Sequence, residues 1–229
     1  MEKIDFDVDD FINYCSCKNL AIKTIGSYEQ TLRLFAQYLK RTQKVNSAED
    51  TKEKHIKEYI NHVRERGKYT VVVNENTKNT NFPENRDDYG KKVSITTINN
   101  YIRNIKVFYN YLYENRYITN NPVARIKEIK NTRKVVDFID DNNFNRLLKC
   151  FDLSKFHEYR DYVIAQLIFD TGMRIGETRM IKETDLDYIK RTILLPADNT
   201  KGKKDRYVFF SANMLKELKR WLQYKDRYK

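Results

Sequence analysis

From Ile98 to Leu112 the chain carries apolar side chains at helical spacing. Ile98, Tyr101, Ile102, Ile105, Phe108, Tyr109 and Leu112 fall on one broad stripe. A stripe that wide commits the segment to a helix with one face buried. Thr97 is its expected N-cap. The far side carries Asn99, Arg103, Lys106 and Asn110, spaced +4, +3, +4. Asn and Arg side chains make paired hydrogen bonds to adenine and guanine edges, so this row is a candidate base-reading surface. A merely solvated face is the competing reading.

A second stripe, Ile25, Tyr28, Leu32, Phe35 and Leu39, predicts a helix over 22–40, with Thr24 or a neighbour as cap. Its other face carries Ser27, Gln30, Arg33, Gln37 and Arg41, and Arg33 is a candidate DNA contact. Ile56, Tyr59, Ile60 and Val63 give a weaker helical pattern that Gly67 can end. Residues 67–95 have no helical period. Val71 to Val73 read as a short strand, and Asn74 to Asp88 have turn chemistry. Loops beyond about 12–15 residues are uncommon, so this stretch is expected to be an inserted, mobile segment.

Asn121-Pro122 closes the first unit, because the residue before a proline leaves the helical region. A first domain is therefore expected over 1–122, a basic linker over 123–137 and a second domain over 138–229. In the second, Asp140 or Asp141 caps a helix with Phe144, Leu147 and Leu148, and residues 158–171 form another. Thr192–Pro196 and Arg206–Phe210 read as strands. Ser211 caps a last helix bearing Leu215, Leu218 and Trp221.

The net charge is +12, but it is unevenly spread. Residues 1–10 hold one lysine and five acids, residues 91–136 ten Lys/Arg against two acids, and residues 201–229 ten against three. Two separated basic blocks point to a polyanion held from two sides, with Lys91, Lys92, Lys203, Lys204 and Arg206 as candidate contacts. Three cysteines make no disulfide framework, and no Cys/His spacing fits a metal site, so no metal is expected. No apolar run approaches the ~18 residues of a membrane span, and the N-terminus lacks signal-peptide character, which places the protein in the cytoplasm.

The sharpest chemical signal is Thr171-Gly172-Met173-Arg174-Ile175-Gly176-Glu177. Two of the chain's six glycines lie within five residues, as a tight turn with close backbone approach requires. An arginine beside such a turn suits bidentate phosphate recognition, and Glu177 can hold its guanidinium. This segment resembles the T-G-x-R-x-x-E box of the tyrosine recombinase (phage integrase) family. Thr200-Lys201-Gly202-Lys203-Lys204-Asp205-Arg206 resembles that family's β-hairpin lysine in the setting K-G-x-x-x-R. Thr24-Ile25-Gly26-Ser27-Tyr28 and Thr97 to Leu112 look like helices of its core-binding domain.

The resemblance implies a mainly α fold with a small antiparallel β element. A helical, SAM-like core-binding bundle would precede a truncated α+β catalytic domain, the two clamping duplex DNA. It implies site-specific cutting and rejoining of DNA through a phosphotyrosine, in a phage or mobile element, with no cofactor. Arg174 would stabilise the pentavalent phosphate, Lys201 would protonate the leaving oxygen, and Glu177 would support Arg174. Asp185 falls at a position of structural acidity. Self-association on DNA is implied for the complete protein. The family's H-x-x-R box and later nucleophilic tyrosine find no match: no histidine follows His157, and Tyr224 and Tyr228 come too early. The chain as written is therefore expected not to cleave DNA, and to expose apolar surface around Leu215, Leu218 and Trp221. A non-catalytic DNA-binding regulator derived from an integrase is the alternative reading.

Overall fold

The computed structural model describes residues 2–73, 79, 82–132, 136–200 and 202–227. The chain divides into two compact units, residues 1–134 and 135–229. Each has its own core.

The first unit is a helical bundle: α1 (Lys3–Cys17), α2 (Ile22–Tyr38, continued by a π turn over Leu39–Gln43), α3 (Glu53–Arg66) and α4 (Ile95–Glu114). The stripe on α4 is buried as its period requires, with Ile102, Ile105 and Tyr109 wholly covered. Phe11, Leu32, Phe35, Ile56 and Tyr59 from the other helices close on it. Ser94, not Thr97, caps α4, its Oγ accepting the Thr97 N–H at 3.2 Å. Ala21 starts α2 without a side-chain cap, so Thr24 lies inside the helix.

Helix α1 was hidden in the acidic N-terminus. Ile4, Val8, Phe11 and Cys15, at +4, +3, +4, are its buried face. Its acids are internal ties. Asp5 accepts the Lys40 ammonium at 2.8 Å, Asp9 pairs with Arg33, and Asp10 accepts the Tyr111 hydroxyl at 2.9 Å. Burial works to raise the Asp5 carboxyl, but Lys40, the Glu2 N–H and Arg33 outweigh it and hold it below the usual range.

Residues 67–91 differ from the expected mobile insert at their base. Lys68 N–H donates to Lys91 C=O at 2.9 Å and Gly90 N–H to Lys68 C=O at 3.0 Å. The Lys68 ammonium reaches Asp88 at 3.1 Å, and Arg86 lies over the Tyr69 ring at 4.5 Å. Val71 to Val73 form no strand. Residues 74–78 and 80–81 lie outside the described set.

The stretch expected as a linker is packed structure over its first half. Val123 and Ile126 are buried in the first core, and Ile129 packs against it.

The second unit contains α5 (Asp141–Leu148), α6 (Phe156–Thr171), the single turn α7 (Ile175–Thr178) and α8 (Ala212–Asp226). Asp140 and Ser211 cap α5 and α8 through their side chains, as their sequence positions predict. A three-stranded antiparallel sheet has the order β1 (Leu186–Asp187), β2 (Thr192–Leu195), β3 (Arg206–Phe209). Leu195 pairs with Arg206 and Thr192 with Phe209, so β2 and β3 form an antiparallel hairpin. Helix α8 does not present the expected apolar surface. Leu218 is buried, and Leu215 and Trp221 pack against the core of α6 and the sheet.

Candidate functional site

Helix α6 ends where glycine allows it. Gly172 sits at φ +66°, the left-handed C-cap that lets the chain turn sharply, and the Thr171 hydroxyl donates back to Leu167 C=O at 2.6 Å. Gly176 needs no such freedom: it lies in α7 at an ordinary φ, and a Cβ there would meet nothing within 4 Å. The close backbone approach expected here is found at neither glycine: a Cβ at Gly172 would likewise meet nothing within 4 Å, and what that position requires is the positive φ.

The turn delivers Arg174 to the start of α7 and Glu177 beneath it. Glu177 is 3% exposed yet fully partnered. Its Oε1 accepts Arg174 Nη1 at 3.0 Å, and its Oε2 accepts the Arg174 backbone N–H at 3.0 Å and Arg206 Nη2 at 2.7 Å. The Arg206 hydrogen bond is the largest cause holding the Glu177 carboxyl down at about 2, against the opposing effect of burial; the Arg174 contacts add to it. The carboxylate is thus a fixed anion anchoring two guanidiniums. Arg174 itself remains 63% exposed, oriented but unburied. Such a cation, immobilised on one side and open on the other, can receive a phosphate oxygen without reorganising.

Arg206 was expected on the DNA. The structure instead uses it as the buttress that joins β3 to α7. The hairpin turn beside it is held by buried Thr200, whose hydroxyl oxygen accepts the Lys204 N–H at 3.2 Å while the nearby Asp205 carboxylate accepts the Ala197 N–H at 2.6 Å. Lys203 and Lys204 are exposed on that turn, Lys203 at φ +47°. Lys201, the expected leaving-group acid, lies outside the described residues. Asp185 accepts the Lys182 N–H at 2.8 Å and so shapes a turn. The Tyr224 hydroxyl donates to Ser154 C=O at 3.1 Å; Tyr228 lies outside the described residues.

In the first unit the candidate base-reading row on α4 has another task. Asn110 Oδ1 accepts from Asn121 at 2.9 Å, Lys106 donates to Ile126 C=O at 2.9 Å, and Arg103 pairs with Glu128 at 3.2 Å. Buried Asn99 takes both backbone groups of Ile129, and Thr96 meets Asn131 at 3.2 Å. The row is a docking ladder for residues 121–131, which run back along the helix. Arg33 is likewise engaged, by Asp9 and Glu29. Lys91 and Lys92 are exposed as expected. What sequence reasoning assigned to a linker now carries exposed charge on an ordered support: Arg125, Lys127 and Lys130 are exposed. The only signal for this was the coincidence of Asn-Pro with a polar row of matching length. Among the described residues no group of three or more His, Cys, Asp or Glu could hold a metal, and no helix is long and apolar enough to cross a membrane.

The phage integrase family matches residues 137–229, and the phage integrase N-terminal SAM-like domain matches residues 8–79. The chain belongs to the phage integrase family of tyrosine recombinases. The tyrosine recombinase XerC of Oceanobacillus iheyensis is 21% identical over 224 residues, covering 97% of this chain and 64% of its own length. XerC of Bacillus subtilis is 25% identical over 220 residues, covering 96% and 63%. A tyrosine recombinase of Thermosipho africanus is 31% identical over 136 residues, 59% of this chain and 47% of its own. The chain thus spans less than two thirds of the curated relatives it matches. Among solved structures, the Tn1549 transposon integrase in complex with a circular intermediate DNA matches at a TM-score of 0.64 and 14% identity, covering 96% of this chain and 65% of that one. XerH recombinase bound to its palindromic difH substrate matches at 0.63 and 20%, covering 91% and 55%. The tyrosine recombinase fold is therefore carried by both units.

Proposed function

We propose that this chain grips duplex DNA and supplies Arg174 to a site-specific recombinase of a mobile element or phage, acting in the cytoplasm. The observation that carries the reading is the geometry of Arg174: an exposed guanidinium pinned from behind by a buried carboxylate that is itself locked by Arg206. In a strand exchange through a phosphotyrosine, charge builds on the non-bridging oxygens of the attacked phosphate. A preorganised guanidinium stabilises that charge without a cost of reorganisation. The Glu177 anion keeps the guanidinium aimed outward rather than folded onto the protein. Lys201, which the sequence places between β2 and β3, takes the role of acid toward the departing oxygen in this reading. The DNA-bound Tn1549 integrase and XerH support duplex DNA as the partner, and assembly of copies on that DNA belongs to the same reading.

The test is the salt dependence of binding to duplex DNA by wild type and Arg174→Ala. Affinity falls steeply with salt, because phosphate contacts release counterions. Losing a single phosphate contact lowers the slope of log affinity against log salt by about one and weakens binding only modestly. Affinity independent of salt overturns the reading, as does an Arg174→Ala slope equal to the wild type's.

A further inference from the structure

Buried polar side-chain atoms are almost always hydrogen-bonded, so those without a partner ask for one. Among the described residues five such atoms occur, on Gln37, Tyr59, Arg66, Tyr109 and Tyr188. Three of the five belong to residues lining one cavity of about 170 Å³ in the first unit: Gln37 Oε1, Tyr59 OH and Arg66 Nε. Tyr59 is 1% exposed.

The cavity lies where α2 and α3 end. Gln37, Tyr38 and Arg41 come from α2 and its π turn, and Tyr59, His62 and Arg66 from the last two turns of α3. The Tyr38 and His62 rings pack at 4.9 Å and form an aromatic wall. Arg41 and Thr42 on the lining are exposed, so the cavity opens to solvent.

Its chemistry selects the ligand. The lining holds two guanidiniums and no carboxylate. The two helix C-termini each contribute about half a negative charge, which two full positive charges outweigh. Arg66 Nε–H and Tyr59 OH are donors, and the Gln37 amide can turn its NH₂ inward. A single water occupies about 30 Å³, so the space exceeds what one bridging water fills. A tetrahedral oxyanion has acceptors in enough directions to meet all three groups.

We propose that this cavity binds a phosphate group through Arg66, Tyr59 and Gln37. The site is separate from the Arg174 centre and stands or falls independently of it. Two sources share the chemistry: free phosphate in solution, and a backbone phosphate of bound DNA.

The experiment is thermal unfolding of the chain with inorganic phosphate, against chloride at matched ionic strength. Phosphate raises Tm saturably by a few degrees beyond chloride. Arg66→Gln, at a half-exposed position that tolerates the change, weakens the apparent phosphate affinity about ten-fold, the value of one charge-assisted hydrogen bond. Tyr59→Phe weakens it too. The His62 ring resonances of the wild-type protein shift saturably over the same phosphate range, a readout that needs no variant. If duplex DNA removes the phosphate-specific rise, the DNA backbone fills the site; if the rise persists with DNA bound, the site takes the free ion. A rise no greater than chloride's, or one unchanged in Arg66→Gln, overturns the proposal and leaves the cavity to water.

Discussion

The Asn99 side chain grips Ile129 by both backbone groups: its Nδ2 donates to the Ile129 carbonyl at 2.9 Å, and the Ile129 N–H donates to its Oδ1 at 2.8 Å. A side-chain amide used this way imitates a strand neighbour and fixes the return segment to α4. Asn99→Ala leaves both Ile129 groups without their partner in a partly buried setting. The expected cost is about 2 kcal/mol, read by urea unfolding, with faster hydrogen exchange at the Ile129 amide. An unchanged stability together with a large loss of DNA affinity would restore Asn99 as a base reader.

The pH behaviour of the second unit follows from Glu177. Its carboxyl lies at about 2 in the folded protein, below the ordinary 4.5, chiefly through the Arg206 hydrogen bond. A depressed folded pKa gives stability that is complete above the unfolded value and is lost as pH falls through the folded one. Stability of residues 135–229 should therefore decline between about pH 4.5 and about pH 2. Glu177→Gln should flatten that decline and lower stability at neutral pH by about 2 kcal/mol. Unfolding curves at several pH values read both effects; an undiminished decline in Glu177→Gln would assign the acid sensitivity elsewhere.

The helices with a wide apolar stripe, α2 and α4, were legible because burial on one face writes itself at a 3.6-residue period. The Gly172 turn and the Arg174–Glu177 pair were legible because a left-handed cap and an i,i+3 ion pair are local. Helix α1 was not. Its buried face is one narrow row, Ile4, Val8, Phe11 and Cys15, set among acids whose partners Arg33, Lys40 and Tyr111 are distant in sequence. The ladder on α4 misled for the same reason. Asn, Arg and Lys at helical spacing serve equally to meet DNA or to meet the chain's own backbone, and only the path of residues 121–131 decides between them. Arg206 likewise looked like surface charge until β3 brought it onto Glu177.

Gly67 is where the 67–91 segment closes. It lies at φ +79°, and a Cβ there would sit 2.4 Å from the Gly90 carbonyl oxygen. Gly67→Ala must both strain the backbone and separate the two chain ends, at an expected cost of about 1–3 kcal/mol. Gly90→Ala is the control. It shares the positive φ, at +70°, but its Cβ would meet nothing within 4 Å, so it should cost no more than about 1 kcal/mol. Hydrogen exchange at the Lys68 and Gly90 amides, whose bonds to Lys91 and Lys68 close the base, should accelerate in Gly67→Ala far more than in Gly90→Ala. Equal effects would show that φ alone, and not the close approach, sets the demand for glycine.

The ladder on α4 also relocates the basic surface of the first unit. Arg103 and Lys106 are spent on Glu128 and the Ile126 carbonyl, so their joint removal should loosen residues 121–131 and lower stability more than it changes the salt slope of DNA binding. Arg125, Lys127 and Lys130 stand exposed on that same segment. Because the segment is anchored at five points along the helix, they present their charges without the entropy loss of ordering a free linker. Replacing all three with glutamine should leave unfolding unchanged. It should reduce the slope of log affinity against log salt by up to about 2.7, since each phosphate contact contributes about 0.9. A triple variant with the wild-type slope would mean that residues 121–131 face away from the duplex, and Lys91 and Lys92 would then be the charges to test.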